Sequence, residues 1–246
     1  MAAIALVTGA SGGLGQALVR ELRREGWTVA LAGRSLERLQ TAFGVEALCI
    51  EADVSTPEGA RLAVESCQRE AGLPTALAQC AGTTLLSPLH RTTAEMYRAC
   101  VAANLDSAFF MLSAFVDALR EARQPGAAVL VSSVVARIGV ANHEAIAAAK
   151  AGVEGLTRSA AATYAPSRIR VNAVAPGIMD TPAVARIIGN EAGRAGAAKQ
   201  YPLPGIGDPA DLARLMAWLL SDRAGWITGQ VWAMDGGFSS VRPLVK

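Results

Sequence analysis

Short apolar runs alternate with longer amphipathic stretches from one end of the chain to the other. The runs are rich in Val, Ile, Leu and Ala, which is typical of strands that are buried on both faces. Seven strands are predicted from them, at 4–7, 28–32, 47–50, 75–79, 127–131, 170–174 and 230–234. Because amphipathic stretches separate these strands, the pattern predicts a parallel sheet with helices on both sides.

The stretches between the strands repeat apolar residues with the period of an α-helix. Helices are predicted at 14–25, 35–43, 57–71, 94–123, 144–164 and 208–220. The segment 178–201 has weak periodicity and several glycines, which predicts a mobile loop with short helices. Its part 181–201 is the candidate substrate loop. Since no linker or repeat interrupts the pattern, residues 1–246 are interpreted as one doubly wound α/β domain of the Rossmann type.

Composition narrows the function classes. The 246 residues are 52% apolar with a formal net charge of +2, which excludes a disordered chain and argues against nucleic acid or a membrane surface as a partner. Four scattered cysteines without a CxxC pair predict reduced thiols, a cytoplasmic location and no metal site. The N-terminal residues predict a strand rather than a signal peptide, and no apolar run reaches the ~18 residues of a membrane span.

A glycine-rich segment follows the first predicted strand and opens the first predicted helix. Backbone N–H groups and the helix dipole at such a junction bind the pyrophosphate of a dinucleotide, and glycines let the backbone approach it. A glycine cluster alone also forms tight turns, but the flanking strand and helix favour dinucleotide binding. The candidate residues are Gly9, Ser11, Gly12, Gly13, Leu14 and Gly15.

The end of the second predicted strand indicates which dinucleotide binds. An acidic residue at this place bonds the ribose 2′-hydroxyl of NAD, but the chain has Gly33-Arg34-Ser35 and no carboxylate. A guanidinium suits a 2′-phosphate, which an acid would repel. We therefore expect NADP(H) with Arg34 as its ligand, NAD(H) being less favoured. The alternative is that Arg34 is a solvated loop residue.

These segments resemble the short-chain dehydrogenase/reductase family nearly end to end. The glycine segment is similar to the family's Thr-Gly-x-x-x-Gly-x-Gly, and Asp235-Gly236-Gly237 is similar to its C-terminal signature. The sequence Gln79-Cys80-Ala81-Gly82 stands where the family has Asn-Asn-Ala-Gly, so both asparagines are lost. The resemblance implies further cofactor contacts from Asp53, Val54, Ala81, Gly82, Lys150, Pro176, Gly177, Ile178 and Thr181.

The resemblance also implies catalytic roles for Ser133, Asn104 and Lys150. In the family a tyrosine exchanges a proton with the substrate, a lysine lowers the pKa of that tyrosine, and a serine polarises the carbonyl. The asparagine holds a relay water. The tyrosine stands four residues before the lysine and 13 after the serine, and here both counts lead to Ile146. The chain therefore has no phenol at the family's usual place.

His143 is the candidate replacement for the missing tyrosine. It lies about 20° from Lys150 around a helix if the helix extends back to residue 143, and histidine ionises near neutral pH. Enoyl carrier-protein reductases, a divergent branch of the family, keep their tyrosine at the same spacing from the lysine. The alternatives are that His143 is a polar loop residue, or that Tyr201 approaches the substrate from the mobile loop.

Together these features predict an NADP(H)-dependent oxidoreductase that acts on a small carbonyl or conjugated enoyl substrate. The competing hypothesis is a catalytically weak or inactive NADP(H)-binding protein, such as a sensor or a structural subunit, because Ile146 replaces the tyrosine. The resemblance further implies a homotetramer or homodimer. Substrate identity does not follow from the sequence.

Overall fold

The computed structural model describes residues 3–242, and within them the chain forms one sheet of seven parallel strands. In chain order the strands are β1 Ile4–Thr8, β2 Thr28–Gly33, β3 Cys49–Glu51, β4 Ala76–Gln79, β5 Gly126–Val131, β6 Ile169–Pro176 and β7 Val231–Met234. Their order across the sheet is β3-β2-β1-β4-β5-β6-β7, which confirms the doubly wound α/β fold. The strand order reverses between β1 and β4, which places a crevice at their carboxyl ends.

Helices cover both faces of this sheet. They are α1 Gly13–Arg24, α2 Leu36–Phe43, α3 Pro57–Glu70, α4 Ala94–Val101, α5 Ser107–Glu121, α6 Glu144–Tyr164, α7 Ala185–Ile188, α8 Glu191–Ala198 and α9 Pro209–Leu220. On one face, Phe115 and Met111 of α5 are fully buried among residues of α3 and α6. On the other, Leu18 and Leu22 of α1 pack with α9. Each such side chain contributes about 1.5–3 kcal/mol by burial.

The predicted helix at 94–123 is divided in the structure. A π-turn at Ala102–Asp106 separates α4 from α5, and it contains Asn104. Apolar residues continue through the turn, so their periodicity does not reveal the extra residue that a π-turn inserts. The run Ala94–Glu121 is long and apolar enough to cross a membrane by length and composition, but its buried side chains pack against the sheet, so we interpret it as a core helix.

Other boundaries agree closely with the pattern. Helix α6 has the predicted bounds, and Ser35 is the N-cap of α2, its hydroxyl accepting a hydrogen bond from the backbone N–H of Arg38 at 3.2 Å. The segment 178–201 contains short helices as expected, namely a 3₁₀ turn at Pro182–Val184 followed by α7 and α8. Its mobility stays a prediction.

Candidate active site

A cleft of about 640 Å³ opens at the carboxyl ends of the central strands. Register explains its position, since Thr8 at the end of β1 pairs with Ala32 of β2 and with Gln79 of β4. The loops after these three strands therefore leave the sheet at one level. They line the cleft together with α4 and the π-turn, through Gly9, Ser11, Gly12, Gly33, Arg34, Ser35, Arg38, Ala52, Asp53, Val54, Ser55, Cys80, Ala81, Gly82, Ala99, Ala102, Ala103 and Ser107.

The glycine loop is held by close backbone contacts that no side chain would permit. Gly9 has a φ of +59°, and a Cβ added there would lie 2.7 Å from the backbone nitrogen of Ala81. A Cβ on Gly15 would lie 2.4 Å from the carbonyl oxygen of Gly9. A Cβ on Gly13 would lie 2.8 Å from the side chain of Thr181. The glycines therefore bring β4 and the segment after β6 against the loop.

A buried hydrogen-bond chain stands where the family's first asparagine is replaced. The Thr8 hydroxyl donates to the side-chain oxygen of Gln79, whose amide nitrogen donates to the Ser107 hydroxyl at 2.9 Å. The Thr8 hydroxyl also accepts from the backbone N–H of Ala81 at 3.2 Å. Gln79 thus links β1, β4 and α5, and its longer side chain satisfies polar groups in the core.

In the part of the cleft that follows β2, two arginines flank the start of α2. Arg34 and Arg38 both line the cleft, and within residues 3–242 neither forms an ion pair with a carboxylate. Hydrogen bonds from Ser55 lower the pKa of Asp53, with a smaller contribution from the positive charge of Arg34. This end of the cleft therefore offers two guanidiniums to an anionic group.

A second group of candidate residues lies around the loop after β4. It consists of Gly82 in that loop, with Asn104 and Lys150 beside it. A Cβ on Gly82 would lie 2.8 Å from Oδ1 of Asn104 and 3.5 Å from Nζ of Lys150. Lys150 is buried and donates from Nζ to the carbonyl oxygen of Val131 at 2.7 Å. Burial lowers the pKa of Lys150 from 10.5 to about 8, and the nearby thiols of Cys80 and Cys100 oppose that shift. The ammonium is thus held against the end of β5.

Asn104 is occupied by the backbone around it. Its Nδ2 donates to the carbonyl oxygens of Cys100 at 2.9 Å and Thr83 at 3.1 Å, and its Oδ1 accepts from the backbone N–H of Thr83 at 3.3 Å. These bonds tie the π-turn to the loop after β4. The catalytic role that the resemblance implies for Asn104 stays a prediction.

Ile146, the residue that the resemblance places at the family's tyrosine position, is buried. It packs with Cys100 and Ala145, and the partly buried Leu85 and Val135 complete this apolar cluster. Ser133 stands close by at the end of β5, where its hydroxyl accepts from the backbone N–H of Val135 at 3.4 Å. The expected serine therefore follows the end of β5, and Ile146 contributes an apolar side chain nearby on α6.

The structure modifies the angular argument for His143. Helix α6 begins at Glu144, and His143 is its N-cap with a φ of −114° and a ψ of 16°, so the residue does not continue the helix. Its Nδ1 lies 2.7 Å from the carbonyl oxygen of Ala141. A carbonyl only accepts, so Nδ1 carries the proton of this bond and Nε2 is left for other partners. Alignment with the Lys150 face does not follow from the helix.

The segment after β6 is anchored by Tyr201. The hydroxyl of Tyr201 accepts from the backbone N–H of Ile178 at 2.8 Å, and the ring packs against Phe238. Burial raises the pKa of Tyr201. Thr181 lies over Gly13, as the contact above requires. The structure thus supports an anchoring role for Tyr201 and places Thr181 next to the glycine loop.

Several cleft residues escape sequence reasoning. Arg38 stands one turn after Arg34 and reads as an ordinary helix residue, although the Ser35 cap predicts the turn that brings both to one place. Cys80 and Ser107 are uninformative residue types until the register of β4 and the π-turn are known. No local signal identifies them.

The fold and site define an oxidoreductase class, and the chain belongs to the short-chain dehydrogenase/reductase family. A family model described as enoyl-(acyl carrier protein) reductase matches residues 9–239. The cis-4-hydroxycyclohexanecarboxylate dehydrogenase of Sinomonas cyclohexanicum is 36% identical over 246 residues, or 97% of either chain. The 3-oxoacyl-(acyl-carrier-protein) reductase of Pseudomonas aeruginosa is 35% identical over 95% of this chain and 96% of that protein.

A solved structure agrees with these sequence matches. Ligand-free aldohexose dehydrogenase from Thermoplasma acidophilum superposes with a TM-score of 0.90 and 28% sequence identity, over 100% of this chain and 97% of that chain. Its similarity supports the single-domain fold with a seven-stranded parallel sheet. The relatives are dehydrogenases and reductases, which makes a nicotinamide cofactor and a small-molecule substrate the expectation for the class.

Proposed function

We propose that the protein is an NADP(H)-dependent oxidoreductase that transfers a hydride to or from a carbonyl or conjugated enoyl substrate. The observation that carries this proposal is a single cleft lined by the glycine loop, by Arg34 and Arg38 and by Gly82, with Nζ of Lys150 3.5 Å from where a Cβ on Gly82 would lie. A dinucleotide needs these three kinds of surface, for its pyrophosphate, its adenosine phosphate and its nicotinamide ribose.

The cradle fits the cofactor by shape. Gly12 donates its backbone N–H to the carbonyl of Gly9 at 3.0 Å, and the glycines leave room that side chains would fill. Gly9, Ser11, Gly12, Gly13, Leu14 and Gly15 would hold the pyrophosphate. Asp53 and Val54 would contact the adenine, Ala81 and Gly82 the adjoining ribose, Lys150 the nicotinamide ribose, and Pro176, Gly177, Ile178 and Thr181 the nicotinamide.

NADP(H) is favoured over NAD(H) because Arg34 and Arg38 both line the cleft and neither forms an ion pair with a carboxylate among the described residues. Changing Arg34 and Arg38 together to Ala is expected to lower the affinity ratio of NADPH over NADH by about 10–100-fold, since charge-assisted bonds to a phosphate contribute ~1.5–3 kcal/mol. Arg61→Ala, on the exposed face of α3, is the matched control. An unchanged ratio in the double variant would refute the assignment to NADP(H).

The chemistry assigned to the chain is orientation and proton delivery. A bound nicotinamide supplies or accepts the hydride. The Ser133 hydroxyl donates a hydrogen bond to the substrate oxygen. His143, protonated on both ring nitrogens, delivers the proton from Nε2 and keeps the Nδ1 proton that is bonded to the Ala141 carbonyl. Asn104 fixes the loop after β4 around this site. The apolar cluster around Ile146 excludes water from the reacting carbonyl.

A conjugated enoyl substrate suits this site best, because its reduction ends with a proton on carbon and makes a smaller demand for a phenol. The relatives extend the choice to a cyclic alcohol and to a 3-oxoacyl group on a carrier protein. The test is NADPH oxidation by the purified protein across ketones and enoyl thioesters of increasing length. Turnover with at least one of them is expected, and none above background would overturn the proposal.

A second candidate function rests on Ile146 alone: a protein that binds NADP(H) without turning it over. It predicts tight NADPH binding, no turnover on the panel, and gain of ketone reduction in Ile146→Tyr. Native turnover that disappears in His143→Ala would eliminate this candidate.

We further propose, from the family, a cytoplasmic homotetramer or homodimer in which the segment 181–201 moves to admit the substrate.

A further inference from the structure

One buried carboxylate outside the cofactor cleft joins the elements that carry Ser133 and Lys150. Glu154 lies one turn after Lys150 on α6, and its side chain is 9% exposed. A carboxylate so far removed from water is costly unless it is paired and hydrogen-bonded. The reaction proposed above makes no use of it, so its partners indicate what it does.

Those partners stand on either side of Ser133. Oε1 of Glu154 accepts from the Ser132 hydroxyl at 3.2 Å and from Nε of Arg137 at 2.9 Å. The Ser132 hydroxyl also lies 3.2 Å from the carbonyl oxygen of Lys150, and since it has one proton it donates to one of these acceptors at a time. A single carboxylate therefore holds both ends of the segment 132–137.

The segment between these two contacts is short and structured. Ser133 caps the 3₁₀ turn Val134–Ala136, which runs directly into Arg137. Arg137 also donates from Nη2 to the carbonyl oxygen of Val231 at 3.0 Å, which ties the turn to β7. Lys150 approaches the same strand end through its bond to Val131. The positions of Ser133 and Lys150 thus both depend on the contacts that connect the end of β5 with α6.

We propose that Glu154 is a positioning residue, which with Ser132 and Arg137 sets the place of the Ser133 hydroxyl relative to Lys150. This inference rests on the proposed function. Arg158 provides an internal comparison, because its Nη1 lies 3.7 Å from Oε2 of the same carboxylate but its side chain is 59% exposed and belongs to α6 itself. Arg137 connects two elements, whereas Arg158 connects none.

The experiment compares Arg137→Ala with Arg158→Ala in the full chain, with kcat, the KM for NADPH and thermal unfolding measured on each. Arg137→Ala is expected to lower kcat by about 10²-fold with little change in the KM for NADPH, because a small misplacement of a reacting group has that effect. Arg158→Ala is expected to stay within about twofold of the wild type, since exposed ion pairs contribute little. If Arg137→Ala does not fold, Ser132→Ala is measured in its place, because it removes the other contact of the Glu154 carboxylate.

A conservative variant separates positioning from general stability. Glu154→Gln keeps an oxygen acceptor for Ser132 and Arg137. Since charge-assisted hydrogen bonds are about twice as strong as neutral ones, this variant is expected to lose some activity but to retain kcat within about tenfold of the wild type. Glu154→Ala removes the acceptor and is expected to lose more than tenfold in kcat. Equal losses in kcat for Arg137→Ala and Arg158→Ala, or variants that lose only thermal stability, would overturn the proposal.

Amide hydrogen exchange gives a readout that needs no turnover. Arg137→Ala is expected to speed exchange in 132–138, where the N–H groups of Ala136 and Arg137 are bonded within the turn, and Arg158→Ala is not. Unchanged exchange in Arg137→Ala would refute the positioning role by itself. A wild-type protein without turnover on any substrate would instead refute the proposed function, with the exchange result still deciding whether these contacts hold Ser133.

Discussion

The glycine-loop end of the cleft and the Ile146 end differ in what they are made of. At the first, backbone meets backbone, and the contacts around Gly9 and Gly15 leave no room for a Cβ. At the second, side chains form an apolar cluster around Ile146, the residue that the resemblance places at the family's tyrosine position. A cradle built from backbone admits little change, whereas one side chain can be exchanged while the backbone keeps its course.

The largest effect is expected at the Ile146 end, where His143→Ala tests whether a histidine performs the tyrosine's task. Removal of a proton donor is expected to lower kcat by about 10²–10⁴-fold while NADPH affinity stays the same. His90 is the matched control, because it is the chain's other histidine and lies exposed in a turn. Steady-state kinetics and cofactor titration measure both. Full activity in His143→Ala would show that the proton comes from elsewhere.

The glycine-loop end is tested by Gly15→Ala. The added methyl group would meet the Gly9 carbonyl oxygen at 2.4 Å, so the loop must shift and NADPH affinity is expected to fall by about 10²-fold, since overpacking costs ~1–3 kcal/mol or more. The control is Gly155→Ala on the exposed face of α6, where nothing lies within 4 Å of the new methyl. That variant should bind NADPH normally and be more stable by about 0.5–1 kcal/mol. Equal affinities in the two variants would contradict the cradle.

Much of the fold was predictable because its causes are local. Strands buried on both faces are apolar throughout, and the register of β1 with β2 and β4 follows once they form one sheet. The π-turn at Ala102–Asp106 was not predictable, because helical periodicity continues across it. The start of α6 at Glu144 agrees with the prediction, but the extension of the helix back to His143, on which the alignment of that residue with Lys150 depended, is not observed, because His143 is the N-cap.

The candidate site divides in the same way. Arg34 and the glycines stand at fixed places after strands and could be identified individually. Gln79 and Glu154 acquire their surroundings only when distant elements pack, since their partners lie on other strands and helices. Arg38 becomes a lining residue only when the loops after several strands form one cleft. The pairing of Ile146 with Cys100 is likewise a tertiary contact. Long-range hydrogen bonds and packing are therefore the part of this site that sequence reasoning missed.

The pH dependence of the free energy of unfolding tests the burial of Lys150. Its folded pKa is about 8 against 10.5 for an unperturbed lysine, so between those pH values the unfolded chain binds one proton more than the folded chain. The contribution of Lys150 to stability therefore rises as pH increases through this window, by about 3 kcal/mol in all. Burial of Cys67 and Cys80, which raises their pKa from 9.0 to about 12, acts in the opposite direction above pH 9. Below pH 8 the penalty for the buried ammonium is fully present.

Urea unfolding between pH 7.5 and 10.5 measures this slope. Lys150→Met removes the titrating group, so it should be more stable than the wild type at the lower pH, and the difference in stability between the two should shrink by about 3 kcal/mol as the pH rises. Lys199→Met, at the exposed end of α8, should keep the wild-type slope. A wild-type slope in Lys150→Met would mean that other groups cause the pH dependence.

The smallest effect is expected for Tyr201→Phe, which distinguishes an anchor from a proton donor. Loss of the hydroxyl leaves the Ile178 N–H without its partner, at a cost of about 1 kcal/mol in stability. Because the pKa of this tyrosine is raised by burial and its hydroxyl is bound to the backbone, kcat should stay within about threefold of the wild type, far from the ~10²-fold or greater loss that follows removal of a general acid. Tyr97→Phe, on a half-exposed side chain of α4, is the matched control. A large loss of kcat in Tyr201→Phe, with Tyr97→Phe unchanged, would identify Tyr201 rather than His143 as the proton donor. The phenol of this active site would then come from the segment after β6 instead of from α6.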